Sequence, residues 1–119
     1  MSKDYKTGAH FLGTIYTKDS KKLLLYRQAK KIISRAIKEN GFEELGSFYH
    51  DFSQGGFTGV IALRESHVAL HTWPEFNCLT LDVYVCNFKK DNGKNCQKLF
   101  EKLVKFFEPE KVIKRRIKR

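Results

Sequence analysis

Side chains with catalytic potential are concentrated in one short stretch of the chain, residues 64–75. The stretch reads RESHVALHTWPE, and its polarity inside an otherwise strand-like pattern is the kind of local conflict that functional segments show. On a strand, His67 and His71 would share one face with Ala69 between them, because successive side chains alternate. Ser66 would lie on the other face. The stretch therefore offers a hydroxyl nucleophile and two imidazoles able to transfer protons.

Three interpretations of these side chains stay open on residue types alone. A zinc site could use His67, His71 and Cys86, although no close Cys pair or carboxylate adds specificity. A Ser-His hydrolase is a weaker match, since Ser66 lacks the glycines of a nucleophile elbow. In the third interpretation the histidines are partly buried and hydrogen-bonded, with no chemical role. We predict no metal site.

The elements around this stretch predict an α+β fold, a two-layer αβ sandwich of a mainly antiparallel sheet with two helices on one face. Apolar residues at helical spacing, starting with Leu24 and Leu25, predict a first helix from Asp19 or Ser20 to Asn40. A second helix should follow residues 91–93 and end at Pro109. Six strands are expected, at about residues 8–16, 43–52, 57–63, 67–73, 79–86 and 111–117.

Length and composition limit the class of protein. A chain of 119 residues favours one domain over residues 1–119. The net charge of +10 falls partly on residues 111–119 and partly on helix lysines, and no nucleic-acid motif accompanies it, so nucleic-acid binding is not the expected role. With no membrane-length apolar run and no secretory signal, a cytoplasmic protein without membrane contact is expected. Of three cysteines, Cys96 is expected to be buried on a helix, and Cys78 is likewise given a structural role.

The eleven-residue string ESHVALHTWPE, residues 65–75, resembles the signature of bacterial and archaeal S-adenosylmethionine decarboxylase proenzymes. Members of that family read ESH, two or three apolar residues and then HTWPE. The similarity continues at residues 8–10, 50–52, 57–60 and 82–86, and it covers most of the chain. The resemblance implies a pyruvoyl-dependent decarboxylase that supplies the aminopropyl donor for spermidine and other polyamine synthesis.

Self-cleavage between Glu65 and Ser66 is also implied by the resemblance. The Ser66 hydroxyl would attack the Glu65 carbonyl and convert the peptide bond to an ester. Elimination and hydrolysis would then leave a β chain of residues 1–65 and an α chain of residues 66–119 that begins with a pyruvoyl group. In the family this covalent group forms a Schiff base with the substrate amine and accepts the electrons left by departing carbon dioxide.

The resemblance assigns proton chemistry to two further side chains. His71 is implied as the proton-transfer residue of processing, and Cys86 as the proton donor to the carbon that loses its carboxylate. Thr58 stands where the family has a serine that assists processing, and its hydroxyl can still form a hydrogen bond.

Substrate contacts follow from the same match. Phe52 and Trp73 correspond to aromatic residues that stack on adenine, and Glu75 to a carboxylate that binds the ribose hydroxyls of S-adenosylmethionine. Family sites lie between two protomers, which implies a homodimer. Departures at Thr14 and Asn77 leave an arginine or ornithine decarboxylase of the same fold as an alternative. An inactive, basic, dimeric binding protein is the alternative from another class.

Overall fold

The computed structural model describes residues 7–87 and 91–119. These residues form one six-stranded antiparallel sheet and two helices, which confirms the predicted two-layer α+β architecture. No helix within the described ranges is long and apolar enough to cross a bilayer. The elements in chain order are β1 (Ala9–Thr17), a 3₁₀ turn (Ser20–Leu23), α1 (Arg27–Glu39), β2 (Glu44–Asp51), β3 (Phe57–Leu63), β4 (Ser66–Trp73), a second 3₁₀ turn (Pro74–Phe76), β5 (Cys78–Val85), α2 (Gly93–Phe106) and β6 (Pro109–Lys118).

The strands are arranged in the order β2-β3-β4-β5-β1-β6. Strands β2 to β5 are sequential neighbours joined by short connections, whereas β1 is inserted between β5 and β6. The register aligns Ser66 with Val85 and His71 with Thr80 across β4 and β5. This register determines which side chains from distant parts of the sequence become neighbours on each face.

One face of the sheet is covered by the two helices and contains the core. Alternate strand residues such as Ile61, Leu70 and Leu81 are fully buried there, as the period of two requires. The apolar stripe of α2 packs on β1 and β5, with Phe100 stacked on Phe11 at 5.4 Å between ring centroids. A side chain at Gly13 would meet Phe100 at 2.8 Å, so the absence of one leaves room for that ring.

The opposite face, called here the open face, is covered by neither helix of the described residues. Every second residue of each strand has its side chain on this face, and residues paired across neighbouring strands lie in rows. One row contains His67, Tyr84, His10 and Ile117. Large apolar side chains on this face are unusually exposed. They are Tyr16, Phe48, Val60, Trp73, Ile113 and Ile117. An exposed apolar surface of this kind is typical of a protein interface.

The prediction for the first helix is wrong at its start. A 3₁₀ turn capped by Asp19 occupies the beginning of the segment, and α1 starts only at Arg27. Leu24 and Leu25 are therefore exposed, at 42% and 61%, instead of lying on the buried side of a helix. Leu23 takes the core position and is fully buried. The six strands agree with the predictions to within two residues at each end, and the second helix ends at Phe106, three residues before Pro109.

Candidate active site

Glu65, Ser66 and Cys86 come together at one end of the sheet, called here the cleavage end. Ser66 is the first residue of β4, and Cys86 directly follows β5, which pairs with β4. The backbone N–H of Cys86 donates a hydrogen bond of 3.0 Å to the Glu65 carbonyl oxygen. Both Ser66 and Cys86 are half-buried. An N–H that donates to a carbonyl stabilises negative charge on its oxygen when a nucleophile attacks the carbon.

A glycine keeps the backbone close-packed at this end. Gly8 precedes β1, and a Cβ built on it would lie 2.8 Å from the Cα of Cys86 and against the carbonyl oxygen of Val85. Any other residue would push Cys86 away from its position beside Glu65. Close packing against Val85 and Cys86 therefore explains the glycine of the motif at residues 8–10.

Thr58 and His71 meet at the opposite end of the same strands, called here the stacking end. They are direct cross-strand partners of β3 and β4. The Thr58 hydroxyl and His71 Nδ1 are 2.6 Å apart, a short hydrogen bond that fixes the imidazole ring. His71 is exposed on the open face, so the other ring nitrogen is available to a second group.

The aromatic and acidic residues predicted to bind substrate lie at the stacking end too. Trp73 ends β4, 6.4 Å from His71 between ring centroids, and its indole is 39% exposed. Phe52 follows β2 and is 49% exposed, with its ring 5.0 Å from that of His50. Glu75 lies in the exposed 3₁₀ turn after Trp73. Exposed rings beside a carboxylate suit a heteroaromatic group that carries hydroxyls.

The two ends are too far apart to act on one another within a single chain. Ser66 and His71 are five residues apart on an extended strand, which separates their Cα atoms by about 17 Å. Proton transfer needs heavy atoms about 3 Å apart or one bridging water. Within one protomer the predicted site residues therefore fall into two separate groups, one at each end of the strands.

Sequence reasoning missed three residues at the cleavage end. His10 and Tyr84 are cross-strand partners on the open face, with ring centroids 5.4 Å apart, and Tyr84 lies 5.8 Å from His67. Arg119 reaches over Tyr84, its guanidinium carbon 5.3 Å from the ring centroid. These neighbours depend on the order β4-β5-β1-β6, and no local pattern in the sequence reveals that order. Two signals were available, because His10 lies in residues 8–10 and Tyr84 in residues 82–86, both of which resemble the family.

The remaining predictions for cysteines and metal can be compared directly with the structure. Cys96 is fully buried in the core, as expected, and burial raises the pKa of its thiol to about 12. Within the described ranges, no three side chains of the types His, Cys, Asp and Glu converge as metal ligands. His67 and His71 share a face but lie about 13 Å apart along β4, too far for one zinc ion.

Comparison with known proteins places this chain and its fold among the S-adenosylmethionine decarboxylases. The solved structure of the adenosylmethionine decarboxylase from Aquifex aeolicus superposes with a TM-score of 0.86 at 27% sequence identity, covering 97% of this chain and 92% of that one. A family model described as S-adenosylmethionine decarboxylase matches residues 9–119.

Two curated relatives carry the name S-adenosylmethionine decarboxylase proenzyme. The protein of a Sulfurihydrogenibium species is 34% identical over 105 residues, which is 88% of this chain and 76% of the relative. The protein of Thermoplasma volcanium is 35% identical over 112 residues, 94% of this chain and 83% of the relative. The chain belongs to the S-adenosylmethionine decarboxylase family, and the resemblance seen in the sequence is confirmed.

Proposed function

We propose that the chain cleaves itself between Glu65 and Ser66 and then decarboxylates S-adenosylmethionine for polyamine synthesis in the cytoplasm. The observation that carries the proposal is the hydrogen bond from the Cys86 N–H to the Glu65 carbonyl. It places a charge-stabilising donor on the carbonyl that Ser66 must attack, with the Cys86 thiol belonging to the same residue. Cleavage would give a β chain of residues 1–65 and an α chain of residues 66–119.

The first step is a shift of an acyl group from nitrogen to oxygen. The Ser66 hydroxyl oxygen forms a bond to the Glu65 carbonyl carbon, the carbon–nitrogen bond breaks, and the nitrogen gains a proton. The Cys86 N–H stabilises the oxyanion in between. Elimination then releases the Glu65 carboxylate, and hydrolysis frees ammonia and leaves a keto group on residue 66.

The residues at the cleavage end fit a pyruvoyl group in that position. Residue 66 would be a chain terminus at the start of β4, half-buried and beside the half-buried Cys86. When present, the group supplies a carbonyl that condenses with an amine and accepts an electron pair. Cys86 directly follows β5, and the alternation of side chains along that strand puts the Cys86 side chain on the open face. Its thiol would return a proton to the substrate carbon after the carboxylate has left.

Completion of the site requires a second copy of the chain. His71 lies about 17 Å from Ser66 within one protomer, so the histidine that serves Ser66 must come from the partner. A twofold axis that places the cleavage end of one copy over the stacking end of the other would create two identical sites. The exposed apolar residues of the open face, Val60 and Ile113 among them, would be covered in such a dimer.

The stacking end then supplies the nucleoside contacts. Phe52 and Trp73 present exposed rings for adenine, and the Glu75 carboxylate offers two acceptor oxygens for a vicinal diol. Thr58 would orient the His71 imidazole through its 2.6 Å contact. These contacts favour a nucleoside substrate over arginine or ornithine.

The test combines an intact mass spectrum with release of labelled carbon dioxide from S-adenosylmethionine, arginine and ornithine in parallel. Wild-type protein should give two fragments cut before Ser66 and release carbon dioxide from S-adenosylmethionine alone. Ser66→Ala should remain one 119-residue chain without activity. Ser47→Ala, an exposed strand serine on β2, is the matched control and should behave as wild type.

The other outcomes separate the alternatives. Release from arginine or ornithine only would keep the cleavage chemistry and overturn the substrate assignment. An uncleaved, silent wild-type protein would overturn the proposal and favour the basic binding protein. Activity of Ser66→Ala at the wild-type rate would refute the mechanism itself.

A further inference from the structure

Arg119 directly follows β6 and is anchored at the cleavage end by contacts with Gly8, with His10 of β1 and with Tyr84 of β5. Its backbone N–H donates to the Gly8 carbonyl at 3.0 Å, and its carbonyl accepts from the Tyr84 hydroxyl at 3.3 Å. Its guanidinium lies over the Tyr84 ring and places Nη1 3.3 Å from His10 Nδ1. None of the three ion pairs found among the described residues involves Arg119. A fixed positive charge is thus held on the open face without a carboxylate partner within 4 Å there.

The neighbouring His10 has a second hydrogen-bond donor, its Nε2 N–H, that is without an acceptor among the described residues. A guanidinium only donates, so His10 Nδ1 accepts from Arg119, and the neutral ring carries its hydrogen on Nε2. His10 is 7% exposed, and its Nε2 has no hydrogen-bond partner among the described residues. Burial lowers the pKa of His10, and the charge of Arg119 lowers it further against the opposing charge of Asp82. While His10 Nδ1 accepts from Arg119, the Nε2 N–H of the neutral ring is buried without a partner among the described residues.

Both donors lie near residue 66. His10 is 6.2 Å from His67, the residue after Ser66, between ring centroids. Strands β4 and β1 are separated only by β5, so their backbones are about 10 Å apart, and the Arg119 side chain reaches back over β5. Ser66 pairs with the buried Val85, so its side chain has the parity of the helix-covered face, and a group joined to residue 66 reaches these donors by turning toward the open face at the end of β4.

We propose that Arg119 and His10 bind the α-carboxylate of the substrate's amino-acid portion and hold it beside residue 66. The inference rests on the proposed function, because it assumes that a substrate amine reacts at residue 66. The bond to be broken joins the α carbon to this carboxylate, and it breaks fastest when aligned with the electron-accepting π system. Arg119 and His10 are thus substrate-positioning residues, and an unsatisfied buried N–H is a ready partner for an anionic oxygen.

The proposal has a consequence that a merely structural role would lack. The decarboxylated product has no carboxylate, so it cannot use Arg119 or His10. Loss of these donors should weaken binding of the substrate and leave binding of the product nearly unchanged. The same contacts would favour release of product after each turnover.

The experiment compares Arg119→Gln with Lys118→Gln, which removes the same charge from the adjacent residue on the opposite face of β6. Arg119→Gln should raise KM for S-adenosylmethionine roughly 10- to 100-fold, the range for a hydrogen bond to a charged group, with a smaller effect on kcat. Arg119→Lys should recover part of the loss, and Lys118→Gln should match wild type. His10→Gln should raise KM in the same direction.

A second measurement is independent of turnover. Borohydride reduces the keto group of the cleaved enzyme to a hydroxyl, so substrate can bind without reacting, and calorimetry then gives Kd for substrate and for decarboxylated product. Arg119→Gln should raise Kd for the substrate only. Equal weakening of substrate and product, or no change in either, would overturn the inference. An uncleaved wild-type chain in the mass spectrum would instead mean that the proposed function has failed.

Discussion

Two inactive variants produced together in one cell test whether each site is built from two chains. Ser66→Ala removes the nucleophile at the cleavage end, and His71→Ala removes the imidazole at the stacking end. Either homodimer lacks a necessary group at both of its sites, so neither variant should be cleaved when produced alone. In a mixed dimer of the proposed kind, Ser66 of one chain would face His71 of the other, and that single site would be complete.

The expected yield follows from the geometry. Random assortment puts about half of all chains into mixed dimers, and one chain in each mixed dimer can be cleaved, so about a quarter of all chains should be cut. All of them should be His71→Ala chains, because only these retain Ser66. The basis is the separation of about 17 Å along β4, which is several times the distance over which a side chain can transfer a proton.

The assay is an intact mass spectrum of the purified mixture, with a different affinity tag on each variant. Two Ser66→Ala chains carrying the two tags provide the control and should give no fragments. Absence of cleavage in the mixture, with mixed dimers present by tandem affinity purification, would refute the two-chain site. The reasoning would then fail at the assumption that β4 keeps its extended form during processing.

Two further predictions concern the packing around the site. Gly8→Ala should destabilise the fold by about 1–3 kcal/mol and slow self-cleavage, because the new Cβ would meet Cys86 Cα at 2.8 Å. Gly46→Ala is the control, because a Cβ there would have nothing within 4 Å among the described residues. Urea unfolding and mass spectra compare the two variants, and equal behaviour would contradict the packing argument. The second prediction is a pH dependence. Because burial raises the pKa of Cys96 from its usual value of 9.0 to about 12, its contribution to stability is complete below about pH 9 and is lost as the pH rises toward 12. Cys96→Ala should remove about 1.4 kcal/mol per pH unit from the slope of the unfolding free energy in that window, and an unchanged slope would count against a buried thiol.

The sheet could be predicted from the sequence because its signal is local. A short run rich in apolar and β-branched residues after Gly55 and Gly56 predicted β3 at its observed bounds, Phe57–Leu63, and the short connections between strands predicted antiparallel pairing. The start of α1 depends on distant partners instead. The N–H of Tyr26 is taken by the Asp51 carboxylate, and the Leu24 carbonyl by the N–H of Gly56. The spacing of apolar residues in the first helix does not reveal these distant hydrogen-bond partners, so it could not predict where α1 begins.

The candidate site divides in the same way. The resemblance of residues 65–75 to a family signature predicted the candidate site residues, and their roles stay predictions. Their division between two ends was available in principle from the five-residue spacing of Ser66 and His71 on a strand. The positions of His10 and Arg119 beside residue 66 were not, because they depend on the insertion of β1 between β5 and β6.

That insertion has a further consequence for the cleaved protein. Cutting after Glu65 would leave β1, β2 and β3 on one fragment and β4, β5 and β6 on the other, while β1 stays hydrogen-bonded between β5 and β6 and β3 stays paired with β4. Three ladders would thus join the fragments without a covalent link. Unfolding of the proposed dimer would release four chains after processing in place of two before it, so the midpoint of thermal unfolding should rise more steeply with protein concentration after processing. The covalent link between β3 and β4 would be present only while the uncleaved chain folds, and the two fragments of the mature enzyme would be held together by the three strand pairings alone.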